Sequence, residues 1–425
     1  MKTLLVSTWT NINTSEKEYK VVDSRGNETE TIVKSYKPSL AEYSFLKEET
    51  TDVKILAFLP SFLATNLNEL PTSYSILENS LKELVMQRLS LPDMNDEIFV
   101  LPSSGTFKSS SNVLSIHDGG IGNFNFLSYL YTYSKLVSEE PEMVMVDLSE
   151  DSSYLAYVTY NAVRLAVEDY AFTHKKQLML VELASDFSNR LFPLRKKVIK
   201  DVNLHQYLTS DIKLAKGMNT QGKSELYGIG KALELGFPLA LIYLIRETGE
   251  LISPEEFRKQ ILEGLQIQKS NGVFSLTASV RASMSAPYYF MGYHFVETNK
   301  KIVEGEITLD KLNEFLDYYT GATRALIKRE IEIIRKLSEL VKDGEYLLDS
   351  LIRIGNTRVL DWLEGKVYEG GKVKCDITEE EMVSHAGMGR KFTKVNKEDS
   401  VITVKYAEEC LDSILSWIKS IGRED

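Results

Sequence analysis

His385 is the side chain best suited to chemistry in this chain. It stands in Glu381-Met-Val-Ser384-His385-Ala386-Gly387-Met388-Gly389-Arg390-Lys391. The residues after it are small, so a large substrate could reach the ring, and Arg390 and Lys391 bring positive charge suited to a phosphate. An imidazole in that setting is fit for general acid–base work on a ribose 2′-OH. The same histidine could equally end a helix, where it meets the negative end of the dipole. The other four carry less. His117 adjoins a glycine cluster, and His174 and His205 stand among polar residues. His294 lies in the aromatic run Tyr288–Phe295, which reads as core. None of the five has an H-x-x-x-H or H-E-x-x-H spacing, so no metal site is expected.

Three stretches are suited to phosphate. Gly217-Met-Asn-Thr-Gln-Gly222-Lys223-Ser224 fits G-x-x-x-x-G-K-[ST], with Lys223 as counter-charge and Ser224 on magnesium. Its lead-in, Asp211–Lys216, is too polar for the buried strand such a loop follows, so a turn before a helix is expected there. The second is Asp118-Gly119-Gly120-Ile121-Gly122-Asn123, whose glycines let backbone approach a ligand phosphate closely. In the third, Asp147-Leu148-Ser149-Glu150-Asp151-Ser152-Ser153, hydroxyls and N–H groups at a helix start suit an anion. Glu150 and Asp151 there suit helix capping instead. Two cysteines, Cys375 and Cys410, make neither a disulfide framework nor a four-cysteine zinc site; reduced thiols are expected.

Positioning these residues requires two kinds of architecture. In the first half, apolar runs at Thr3–Trp9, Val53–Leu59, Glu97–Leu101, Met143–Leu148 and Gln177–Leu183 alternate with helical spacing at Ser39–Glu49, Ser73–Leu89, Asn123–Val137 and Ser152–Phe172. Strands apolar almost throughout and separated by helices predict a parallel sheet covered on both faces, a doubly wound α/β domain. Tyr19–Val22 and Thr29–Lys34 flank Arg25-Gly26-Asn27 and read as a hairpin. In such folds ligands sit at the carboxyl ends of the strands. The candidate binding residues are therefore Thr8, Trp9, Thr10, Asn11, Ser61, Gly119, Gly120, Gly122, Asn123, Ser149, Ser152 and Ser153. After a basic boundary at Arg190–Lys200 the apolar period turns helical: Ser224–Leu235, Leu239–Glu247, Pro254–Gln268, Thr308–Tyr319, Thr323–Lys342 and Ala407–Ile421. Asp399–Tyr406 reads as a short strand or the start of a helix. Domains are thus expected at 1–190 (α/β) and 191–425 (mainly helical), with a hairpin or loop insertion near 366–376.

The order of elements and four short stretches resemble the type III CRISPR accessory proteins that join an N-terminal CARF sensor domain to a C-terminal HEPN ribonuclease domain. The stretches are Leu4–Trp9, Ile55–Ser61, the strand running into Asp147-Leu148-Ser149, and His385-Ala386-Gly387 before a final amphipathic helix. The family's D-x-T-H-G reads Asp147-Leu148-Ser149-Glu150-Asp151 here. Its R-x(4–6)-H lacks the arginine: Glu380 stands in the expected place, leaving Arg390, Arg358 or Arg353 to supply the charge. The resemblance implies a homodimer whose sensor domains bind a cyclic oligoadenylate, cyclic tetra-adenylate by expectation. It further implies activation of metal-independent cleavage of single-stranded RNA, with His385 and Arg390 catalytic and no cofactor. The alternative is a sensor or scaffold that binds or cleaves the ring while the HEPN domain is inactive.

Composition bounds these readings. Net charge is −11, from 50 basic and 61 acidic residues, which excludes indiscriminate coating of nucleic acid but leaves room for a local basic groove. The longest apolar stretch, Leu235–Ile245, is interrupted by Pro238 and is too short to span a bilayer, so a cytoplasmic protein is expected. No G-x-G-x-x-G follows the first strand, which disfavours a dinucleotide-dependent enzyme.

Overall fold

The computed structural model describes the chain except residues 13, 24, 26, 50–51, 68, 70, 92–93, 95–96, 109–112, 118–119, 150–152, 271–272, 357–371 and 424–425. It divides into two compact units. The first comprises Met1–Val202, Lys213–Thr220 and Ile252–Phe290, the second Asn203–Ile212, Gln221–Leu251 and Met291–Asp425.

Unit 1 opens with β1 (Thr3–Thr8), buried at every residue. A hairpin follows, β2 (Lys17–Val22) paired with β3 (Glu28–Ser35). Then come α1 (Pro38–Glu49), β4 (Val53–Pro60), α2 (Tyr74–Arg88), β5 (Ile98–Leu101), β6 (Gly105–Lys108), β7 (Val113–His117) and α3 (Gly120–Glu139). The series closes with β8 (Met143–Asp147), α4 (Ser153–Thr173), β9 (Leu178–Ser185) and β10 (Leu191–Ile199). The main sheet has the order β10-β9-β8-β1-β4-β5. All its pairs are parallel except β10 on β9. The expected α/β domain with a parallel sheet is therefore present. Because β4 and β5 lie to one side of β1 and β8 and β9 to the other, the winding reverses at β1. A crevice opens at the carboxyl ends of the strands at such a point.

Two features of unit 1 differ from the expectation. The basic stretch expected as a boundary at Arg190–Lys200 is largely β10, the sheet's edge, with Arg195, Lys196 and Lys197 exposed. Three consecutive cations hide the two-residue period, and cations on an edge strand also discourage pairing with other chains. The second feature is a four-stranded sheet, β11-β12-β7-β6, in which two strands come from beyond residue 260.

In chain order, α5 (Leu204–Leu208), α6 (Lys223–Leu235) and α7 (Pro238–Glu247) precede α8 (Pro254–Glu263), β11 (Leu265–Ser270) and β12 (Val273–Ala278). The single helix expected over Pro254–Gln268 stops at Glu263. Beyond Gly264 the pattern Leu265-Gln266-Ile267-Gln268 has a period of two, and it pairs with β12.

Unit 2 is mainly helical. Its later elements are α9 (Ala286–Val303), which begins in unit 1, α10 (Leu309–Glu314), α11 (Gly321–Glu339), β13 (Gly344–Leu347) and α12 (Leu348–Asn356). They are followed by α13 (Glu379–Ser384), β14 (Thr393–Glu398), β15 (Val401–Tyr406) and α14 (Glu408–Ser420). The stripe of α11 buries Ile327, Ile331 and Ile334, and α14 buries Ile414, Leu415 and Ile418. Asp399–Tyr406 resolves as strand, the last of a β13-β14-β15 sheet. Of the insertion expected near 366–376, residues 366–371 lie outside the described residues; 372–376 run without helix or strand.

The cysteines correct the expectation of reduced thiols: Cys375 and Cys410 form a disulfide. Their 35-residue separation carried no signal. The fold brings the strand-less segment before α13 alongside the first turn of α14. Among the described residues no helix is long and apolar enough to cross a membrane.

Candidate functional site

In unit 1 a cavity of about 420 Å3 lies at the carboxyl ends of β1, β8 and β9, beside the β2 hairpin. Its lining includes Asn11, Thr14, Tyr36, Lys37, Ser149 and Phe187. Lys37, just before α1, is 1% exposed, and its ammonium donates to the Asn11 carbonyl. A buried cation is costly unless something negative or polar faces it. Asp147, at the end of β8, is close enough for the Lys37 charge to act on its carboxyl. Burial pushes the Asp147 carboxyl up. Hydrogen bonds from Ser149 and Ser7 and the charge of Lys37 pull it back, and the net displacement is upward. Thr14 Oγ1 is buried without a hydrogen-bond partner among the described residues. The cavity thus combines a buried ammonium, an unspent hydroxyl and an aromatic side chain, Phe187, that is fully exposed at the turn between β9 and β10.

Of the residues selected from sequence, Asn11 and Ser149 line this cavity. Thr10 follows β1, half-buried. Thr8 is 3% exposed and shares a hydrogen bond with Thr159 of α4 at 2.5 Å. Trp9 is fully buried, its Nε1 donating to Ser39 at 2.9 Å, so its indole is core rather than a ligand contact. Ser61 is likewise fully buried and bonded to Ser103, joining the ends of β4 and β5. The glycine cluster serves packing. A Cβ at Gly122 would fall 1.8 Å from the Ala282 carbonyl oxygen, and one at Gly120 2.3 Å from that of Ser103. Asn123 is fully buried, accepting from Ala282 N–H at 2.8 Å and donating to Val280 O at 3.0 Å. Close approach of backbone does explain these glycines, but the backbone is the protein's own. Ser153 opens α4, while Gly119 and Ser152 lie outside the described residues. Sequence reasoning missed Lys37 because a lysine beside a proline reads as surface.

The G-x-x-x-x-G-K-S stretch carries no phosphate loop. Lys223 Nζ is tied to Asp211 at 2.7 Å, and Gly222, at φ +73°, is the residue that starts α6.

In unit 2, His385 ends α13. Thr378 accepts from Glu381 N–H at 3.2 Å and Glu379, Glu380 and Glu381 fill the first turn, where carboxylates complement the helix dipole. The other end is a Schellman arrangement: Gly387 N–H reaches Met382 O at 2.7 Å and Ala386 N–H reaches Val383 O at 3.4 Å. Ala386 and Gly387 both have positive φ, +50° and +78°. The small residues after the histidine are therefore demanded by this turn. Tyr406 pins it further by donating to Gly387 O at 2.7 Å.

The turn presents His385 with its side chain 12% exposed and Nδ1 3.2 Å from Glu330 Oε2 of α11. Glu330 is 5% exposed. Its other oxygen takes Arg329 Nε at 3.1 Å and a terminal guanidinium nitrogen at 2.7 Å. Burial pushes the Glu330 carboxyl up, but the His385 and Arg329 hydrogen bonds and charges outweigh it and hold it below its ordinary value. An ionised carboxylate only accepts, so Nδ1 carries a proton and Nε2 is the nitrogen left for chemistry. Arg390 is placed differently: its N–H donates to Glu381 at 2.7 Å, and its Nε is buried without a hydrogen-bond partner among the described residues. Arg353 pairs with Asp349 at 2.7 Å, and Arg358 lies outside the described residues. Arg329 and Glu330 lie 55 residues and more before His385 in an ordinary amphipathic helix, and nothing in their spacing singled them out.

These two sites coincide with two family matches. Residues 4–186 match the CARF-domain model of CRISPR system endoribonuclease Csx1, and residues 320–408 match the HEPN-domain model of the same endoribonuclease. Together they span well over half of the chain; the first contains most of the residues that line the cavity and the second contains His385. The chain belongs to the CARF–HEPN family of type III CRISPR systems. No curated protein matches it. Membership assigns residues 4–186 to the CARF domain and His385 to the HEPN domain of a ligand-sensing ribonuclease family.

Proposed function

We propose that this CARF–HEPN protein is a cyclic-oligoadenylate-activated, metal-independent endoribonuclease acting on single-stranded RNA as a homodimer in the cytoplasm. The observation that carries the reading is the His385 imidazole, 12% exposed, whose Nδ1 lies 3.2 Å from the buried Glu330 carboxylate and so leaves Nε2 as the nitrogen for chemistry. In the proposed reaction Nε2 takes the ribose 2′-OH proton as the oxygen attacks phosphorus. The P–O5′ bond breaks, the departing 5′-oxygen takes a proton from water, Nε2 later returns its own proton to solvent, and a 2′,3′-cyclic phosphate remains. The activator, cyclic tetra-adenylate in the leading form, occupies the cavity between Asn11, Lys37 and Ser149, where the Lys37 ammonium offsets phosphate charge. An acidic chain with net charge −11 suits a nuclease that ignores RNA until switched.

A second reading keeps the sensor but has an inactive HEPN domain. The observation in its favour is Glu380 in the place where the family motif has arginine. One experiment separates the two. Labelled single-stranded RNA is incubated with the protein in EDTA, with and without cyclic tetra-adenylate, alongside His385→Ala and Lys37→Met. The proposal expects cutting only with the ring, termini bearing cyclic phosphate, no cutting by His385→Ala, and a raised ring requirement in Lys37→Met. Ring binding by calorimetry without any RNA cutting supports the second reading. Cutting unaffected by His385→Ala refutes the mechanism.

A further inference from the structure

We infer that Arg329 of α11, rather than any residue of the segment before His385, is the arginine of the RNA-cutting centre. Glu330 is the positioning residue that couples it to the imidazole. The inference rests on the proposed RNA cleavage at His385 and adds residues to it.

The segment before His385 is committed elsewhere. Its three glutamates complement the start of α13, where an arginine would oppose the helix dipole. Arg353 is paired with Asp349 at 2.7 Å, and Arg390 keeps its Nε buried, without a hydrogen-bond partner among the described residues. Arg329 is different. Its side chain is 59% exposed, yet it is folded back onto the next residue of its own helix, Glu330, with a further contact from its guanidinium to Ser384 O at 3.4 Å. Neighbours at i and i+1 on a helix point about 100° apart and do not ordinarily meet. Holding an exposed arginine in such a fold costs side-chain entropy. The contact therefore directs the guanidinium to the backbone carbonyl immediately preceding His385. Glu330 then joins cation and imidazole through its two oxygens. The fork left to solvent is the group that binds two non-bridging phosphate oxygens at once, a geometry a lysine cannot copy. On this inference the guanidinium takes the extra negative charge of the phosphorane formed when Nε2 acts as base.

The test uses the full-length protein with cyclic tetra-adenylate and single-stranded RNA, comparing Arg329→Ala, Arg329→Lys, Glu330→Gln and His385→Ala. Removing one donor to a developing oxyanion costs roughly 100- to 1000-fold, so Arg329→Ala should lower kcat by that order with KM within about threefold, in a protein that remains folded at the assay temperature. Arg329→Lys should recover part of the loss. For Glu330→Gln we expect kcat to fall at least about tenfold, as for a misoriented base. Its imidazole 15N spectrum, recorded with labelled histidine and no ligand, should shift from the Nδ1–H form towards a tautomer mixture. Arg329→Ala cutting at the wild-type rate while His385→Ala is dead overturns this inference and leaves the proposed function standing. An Nε2–H imidazole in the wild type overturns the role of Glu330 whatever the activity. A wild type that binds the ring and never cuts overturns both this inference and the proposed nuclease, and leaves the sensor with an inactive HEPN domain.

Discussion

Gly387→Ala should disable the HEPN centre through the backbone, and the size of the effect can be worked from the structure. Gly387 has φ +78°, a region that costs an L-residue about 1–2 kcal/mol. The added Cβ would sit 2.7 Å from Phe237 Cβ, 2.9 Å from Cγ and 3.0 Å from Cα. Phe237 is fully buried and one of the contacts is backbone, so it cannot swing away. Overpacking of this kind costs about 1–3 kcal/mol. The two together come to roughly 2–5 kcal/mol, or a fall of about 4–20 °C in the melting of a unit of this size. The Schellman turn that ends α13 also presents His385, so the same displacement should lower ring-activated RNA cutting even where the variant is folded. The comparison is Gly249→Ala, where nothing lies within 4 Å of the added Cβ. It should melt within about 1 kcal/mol of wild type. The assay is differential scanning calorimetry with RNA cleavage well below the lower transition. A Gly387→Ala protein that melts and cuts like Gly249→Ala would refute the claim that this turn positions the histidine.

Glu42 of α1 is fully buried, with Oε2 on Val22 N–H at 3.0 Å and Oε1 unpartnered among the described residues. Burial pushes its carboxyl from 4.5 up to about 8, against the Val22 hydrogen bond and with the Asp147 charge adding to it. The folded chain holds this proton more tightly than the unfolded one, so wild-type stability falls as pH rises from 4.5 through 8. Glu42→Gln should therefore gain nothing near pH 4 and progressively more towards pH 8 in urea titrations; a gain that shrinks with pH contradicts the assignment. Reducing Cys375–Cys410 should destabilise unit 2 by about 4 kcal/mol on the loop-entropy relation for 35 residues. Cys375→Ser should reproduce that loss and abolish the effect of reductant on the melting curve; a melting curve indifferent to reductant in the wild type would show that the bond does not form.

Much of the fold was legible because periodicity reports burial. Leu4, Leu5 and Val6, or Val144, Met145 and Val146, are apolar on both faces, and only a sheet covered on both sides accommodates that. The stripe Ile327-Ile331-Ile334 likewise required a helix on a core. Where charge or amide side chains masked the period, as in Arg195–Lys197 of β10 and Gln266 and Gln268 of β11, strands were missed. The site was legible to the extent that it used local rules: Asn11 and Ser149 follow strands whose carboxyl ends face a cavity, and His385 stands in a helix-ending turn. Gly122 and Asn123 carried the composition of a phosphate cradle but accommodate Val280–Ala282, because close approach looks the same in sequence whichever backbone approaches.

By itself the sequence determined the strand–helix alternation, the α/β class that follows from it, and a histidine followed by small residues. Each depends on neighbours within a few positions, where side-chain period and backbone preference act. Only the tertiary structure decided that Lys37 is buried beside the cavity, that Cys375 meets Cys410, and that Glu330 holds His385. Those pairings join residues with no local relation. They exist because packing two apolar stripes against one core also fixes which polar groups at the margins come within hydrogen-bond reach. An acid buried in its ionised form, as Glu330 is, needs such a partner in place.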